Sequence, residues 1–134
     1  LVGATLTPEG ELLRFHLTLL SADYEAAHPT ADMQSMFLAS LAAGAPEGAA
    51  ALSDPLAVAI EDGFSTAVAS AALRALLGEG KLGEAILFAS KQMTSGLGGD
   101  LSALKSGIAG LRQMGLEDVV RRASLQMMLM KRQF

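Results

Sequence analysis

Two histidines, His16 and His28, share the first part of the chain with Asp23, Glu25 and Asp32. Histidine and carboxylate ligands are the set a metal ion would need. The spacing speaks against it, because no HExxH-like pattern puts two histidines on one helix face around a glutamate. His16 reads as half-buried or solvated, and His28 as a loop residue before Pro29. Glu61 and Asp62 offer two carboxylates, but adjacent helical residues point about 100° apart and do not converge on one substrate atom. Serines are plentiful, yet none lies in a Gly-x-Ser-x-Gly elbow, and no base is placed to activate one. The chain has no cysteine, which removes disulfides, thiolate nucleophiles and Cys-based zinc together and leaves the compartment open. Gly96-Leu97-Gly98-Gly99 before a helix has the outline of a phosphate-cradling loop. It lacks the Lys-Ser/Thr of a P-loop and a preceding strand, and Asp100 at the cap would repel an anion, so it reads as a hinge. No catalytic, metal or cofactor site is expected.

What remains is packing. At 134 residues and 51% hydrophobic, with alanine and leucine dominant and no tryptophan, the chain fits one domain of close-packed helices. Fourteen glycines and four prolines fall mostly between periodic runs and punctuate them. No run of 18 apolar residues is free of charge. The nearest approach, Phe64 to Leu77, carries Arg74, so no membrane span is expected. The start at Leu1 shows no basic region before an apolar one, so no signal peptide is expected either.

The net charge of −4 hides a split. From Leu1 to Leu73 nine acids face Arg14 alone, a balance of −8, and from Arg74 onward nine bases face five acids, a balance of +4. Such asymmetry arises from solvated faces or serves end-to-end and partner steering. Nucleic acid is not the expected partner, since Phe88 and Phe134 are the only aromatics of the basic half.

Helix signals then divide the chain. In residues 9–20, Leu13, Phe15, Leu17 and Leu19 alternate with polar residues as a half-buried strand would. Acids in the first turn, continuation into Leu20-Ser21-Ala22 and the lack of a partner strand favour a helix. Asp23 to Ala27 suits a short turn stopped before His28-Pro29. Thr30 is the expected N-cap of a helix with Met33, Met36, Phe37 and Leu41 as its buried stripe and Gly44 as its end. Residues 45–53, with Pro46 and Gly48, read as a connector that has room for one helical turn. Asp54-Pro55 opens the next helix, which stops at Gly63 or runs on through the Ala-rich Phe64–Leu77, placed by its composition in the middle of the fold. Asp100 caps a helix with the stripe Leu101, Leu104, Ile108 and Leu111, closed by Gly115. In the last helix, acids Glu117 and Asp118 precede Arg121 and Arg122 by four residues, and Lys131 and Arg132 sit in the last turn.

Lys81–Thr94 and Gly115–Met130 are related by a 34-residue shift that lays Leu82 on Leu116, Ile86 on Val120, Ala89 on Ala123 and Met93 on Met127. Gly80-Lys81-Leu82-Gly83-Glu84-Ala85-Ile86 resembles the turn and second-helix start of a tetratricopeptide-type repeat, and the resemblance spans roughly Phe64 to Met130. Ala89 stands where such repeats carry an aromatic, so the similarity is to the broad class of α-solenoids. It implies a peptide- or protein-binding role without catalysis.

The expected fold is therefore all-α, with about six or seven helices in stacked antiparallel hairpins, as a short α-solenoid or an irregular bundle. Residues 1–134 form one domain, with a less regular acidic part in 1–63 and two hairpins in 64–134. Between the two copies, Leu87 and Phe88 are replaced by Arg121 and Arg122, which reads as an inner unit beside a terminal one. The expected interaction surface is Leu125 with Met128, rimmed by Arg121 and Arg132, and the expected partner is another protein or a second copy of the chain. The alternative is a helical carrier for an apolar ligand; a hydrolase of unknown type is third.

Overall fold

The computed structural model describes residues 7–66 and 69–131. Among them there is no strand, and eight α-helices pack around one continuous apolar core. In chain order they are α1 (Pro8–Leu19), α2 (Met33–Ala42), α3 (Ala49–Leu52), α4 (Pro55–Ser65), α5 (Ala71–Gly78), α6 (Leu82–Ser95), α7 (Leu101–Gln113) and α8 (Glu117–Lys131). Single 3₁₀ turns, Tyr24–Ala26 and Gly96–Gly98, follow α1 and α6. The eighth helix beyond the expected six or seven is α3, one turn inside the 45–53 connector. No helix among the described residues is long and apolar enough to cross a membrane.

The starts follow the local chemistry. Asp54 and Asp100 each accept a backbone N–H of their own first turn, from Leu56 and Ala103, both at 3.0 Å. Thr7 does the same for α1, with Pro8 at the first helical position, so the ambiguous 9–20 stretch is helical. Its alternation misleads about burial: Phe15 and Leu19, four apart, enter the core, and Leu13 and Leu17 face outward. The cap of α2 is Asp32, not Thr30. The Thr30 hydroxyl turns to the Asp32 carboxylate, which accepts from Ser35 N–H at 3.0 Å. With the helix starting later, Ser35 and Leu38 are buried beside Phe37 and Leu41, and Met33 and Met36 stay exposed.

Helix α7 holds the centre, packed most extensively between α6 and α4. Small residues set both spacings. A Cβ at Gly107 would lie 2.6 Å from Met93 N and 2.7 Å from Ala89 O of α6, and one at Gly63 of α4 would lie 2.9 Å from Ile108 Cβ. The Ala-rich 64–77 stretch is not one central helix. The chain leaves α4 after Ser65, and α5 lies at the periphery against α6 with Leu73 as its buried residue.

Helix α8 closes the other side, against α2, α7, α1 and α4. Its first turn ties together distant segments. Glu117 accepts from Arg112 Nε at 2.7 Å and Arg121 Nε at 3.1 Å; Arg121 also reaches Glu25 at 3.1 Å and donates to the Ala42 carbonyl at 3.4 Å. The Tyr24 hydroxyl donates to Asp118 at 2.6 Å. Arg112 donates to the Phe64 carbonyl and lies 4.8 Å from the centroid of that ring, a cation–π contact.

Candidate functional site

The expected contact pair is not on the surface. Leu125 and Met128 are 0% and 1% exposed, because α1 and α2 lie on the side of α8 that the sequence leaves open. Arg121 is no rim residue: it is committed to Glu117, Glu25 and the Ala42 carbonyl. Arg132 lies outside the described residues. Nor is α8 the more open of the two helices. Helix α8 is enclosed, and α6, with Leu87 at 63% exposure, has the wetter outer face.

The catalytic alternatives have structural uses. Asp62 pairs with Lys105 at 3.3 Å, joining α4 to α7. His16 stacks at an angle beside Phe15, and His28 lies exposed in the loop before α2. Among the described residues, no group of three or more histidines and carboxylates is placed to hold a metal ion. The Gly96–Gly99 stretch is an ordered turn and no open cradle: Gly96 is buried, and a Cβ there would lie 2.8 Å from Leu104 Cβ. Asp100 already occupies the N-terminus of α7, the position an anion would take.

What the surface does offer is a cleft between α6 and α8. α6 and α8 flank α7, and an open depression of about 250 Å³ lies between them with Leu111 of α7 among its lining. Met93 of α6 and Met127 of α8, equivalent under the 34-residue shift, line the same cleft. Leu97, Val119 and Met130 complete its apolar mouth at 63%, 52% and 52% exposure. Ser90, Thr94 and Gln126 add uncharged polar groups.

Two bases edge this surface. Lys91 shares a face of α6 with Leu87 and Thr94, and Arg122 shares a face of α8 with Val119 and Gln126, by i, i+3 and i+4 spacing. Both are exposed. Arg122 is held only loosely by Asp118, at 3.9 Å, while that carboxylate accepts the hydrogen bond of the Tyr24 hydroxyl. The sequence carries this signal in Val119, Met127 and Met130, but Leu125 and Met128 make another side of α8 equally apolar, and spacing alone does not separate the two. Comparison with protein-family models, curated proteins and solved structures gives no significant match for this chain.

Proposed function

We propose that the chain is a protein-interaction module whose working surface is the α6–α8 cleft, taking the apolar face of a helical segment. The observation that carries this reading is the grouping of Leu97, Val119 and Met130, all more than half exposed, around a cleft floored by Met93, Leu111 and Met127. Large apolar side chains left in water around a concavity favour a partner that removes them from it. Methionine suits the task because its unbranched thioether adapts to differing shapes. At this cleft the carrier reading is weaker on size: about 250 Å³ of open space lies below the roughly 300–1,000 Å³ typical of pockets that enclose a small ligand.

The test is selection from a displayed library of amphipathic helices, with counter-selection against a Val119→Asp/Met130→Asp variant. Both positions are exposed, so that variant keeps the fold. Helices that bind the parent chain and not the variant are expected. Recovery of none, or of helices that bind both equally, overturns the reading.

A further inference from the structure

Among the exposed apolar side chains of the described residues, those of α1 form a regular stripe. Leu13, Leu17 and Leu20, at the end of α1, are 58%, 58% and 45% exposed and recur at i, i+4 and i+7, the spacing with which a helix lays three anchors into a groove. We propose, building on the cleft as the working surface, that its occupant is this stripe of a second copy of the chain, in a head-to-tail contact. Size agrees: the stripe spans roughly 10 Å of helix, and the α8 wall from Val119 to Met130 roughly 16 Å.

Charge decides the orientation. Glu9 lies at the edge of the stripe by helical position and Asp23 lines the surface beside Leu13 and Leu17, while Lys91 and Arg122 edge the cleft. Stripe against cleft brings opposite charges together, whereas stripe against stripe or cleft against cleft brings like charges together. Arg14 flanks the stripe on its other side and borders, with Leu17 and Asp23, one shallow surface. A head-to-tail contact uses two different patches of each molecule, so each copy in an assembly still presents one stripe and one cleft. Such contacts propagate unless their rotation closes a ring.

Two variants isolate the halves. Leu13→Asp/Leu17→Asp removes the stripe and leaves the cleft, and Val119→Asp/Met130→Asp does the reverse. By sedimentation equilibrium at low salt, the parent chain is expected to associate with rising concentration up to about 0.5 mM. Each variant alone should remain a monomer. Mixed in equal amounts they should form a one-to-one dimer and nothing larger, since only one working stripe and one working cleft remain. A Lys91→Glu/Arg122→Glu variant, which keeps the apolar surface, should weaken parent association about tenfold at low salt, the difference shrinking near 0.5 M salt.

A monomeric parent chain, a variant that associates alone as the parent does, or a mixture that stays monomeric each overturns the self-docking proposal. If the chain is monomeric while helices selected from the library still bind through Val119 and Met130, only the identity of the occupant falls. If association occurs and both variants leave it untouched, it runs through another surface and the self-docking proposal falls; the cleft itself falls only if the library yields no helix that depends on Val119 and Met130.

Discussion

Gly44 turns directly beneath Arg121. At φ +86° the glycine ends α2, and a Cβ built on it would lie 2.3 Å from Arg121 Nη2 and 2.6 Å from its Cζ. Gly115, at φ +82°, closes α7 with nothing within 4 Å of such a Cβ. Gly115→Ala is therefore expected to cost about 1–2 kcal/mol, the left-handed backbone penalty alone. Gly44→Ala should cost about 1–2 kcal/mol more, because the guanidinium must also leave the Ala42 carbonyl and Glu25. Urea denaturation of both, repeated in an Arg121→Met background where the two costs should converge, checks the coupling.

Gly107 decides how closely α6 and α7 approach. Gly107→Ala would push a methyl into the α6 backbone at Met93 N and Ala89 O, and neither atom can move without the whole helix. A loss of about 3 kcal/mol or more is expected. Gly110→Ala meets a side chain instead, Leu73 Cδ2 at 2.4 Å, and should cost about half as much. Equal losses in calorimetry would contradict this account.

Ser124 is fully buried, and its hydroxyl has no hydrogen-bond partner. Ser124→Ala should stabilise the fold by about 1 kcal/mol and raise Tm by roughly 4 °C. Ser35 is equally buried but its hydroxyl reaches Asp32 at 2.8 Å, so Ser35→Ala should move Tm the other way. Thermal melts of the pair give the answer directly.

Stability should fall at both ends of the pH scale for separate reasons. The Thr30 hydroxyl, with the Ser35 hydroxyl and N–H, holds the Asp32 carboxyl at about 2, below its ordinary 3.8. A lowered folded pKa favours the native state above the unfolded value, so this contribution is complete above about pH 4 and fades as pH falls towards 2. Burial alone would raise Glu117, but hydrogen bonds from Arg112 and Arg121 bring it below its ordinary 4.5, and its contribution is lost on acidification likewise. Tyr24 behaves oppositely. Burial first, then its hydrogen bond to Asp118, lifts the phenol from 10.0 to about 12, so its contribution is present below pH 10 and is lost as pH rises through 12. In Tm–pH profiles, Asp32→Asn should flatten the acid limb and Tyr24→Phe the alkaline one.

Much of the helix framework was legible because its signals are local. Asp54-Pro55, Asp100, Gly44, Gly115 and the acid-first pairs of α8 act within one turn of themselves, and the structure places them as expected. The pairing of helices was not legible. Periodicity shows that a face is apolar but not what lies on it. Helix α8 is apolar on two sides: Val120 and Met127 mark one, Leu125 and Met128 the other, and all four are buried. Leu87 and Phe88 gave α6 the look of a covered helix, yet Leu87 is open to water. The contacts that resolve α8, such as Tyr24 with Asp118 and Glu25 with Arg121, join residues 94 and 96 positions apart, a separation on which local spacing is silent.

The same long-distance ties set an order of events during synthesis. Phe15, Phe37, Leu38 and Leu41 are buried in an arrangement that α8 completes, since α1 and α2 both pack on that helix. Until the ribosome has released the segment after Gly115, the acidic half of the nascent chain has no lid for these residues and no partner for Tyr24 and Glu25. Closure then waits on the final helix, so a stalled or clipped chain lacking α8 exposes apolar surface of the kind chaperones and proteases engage.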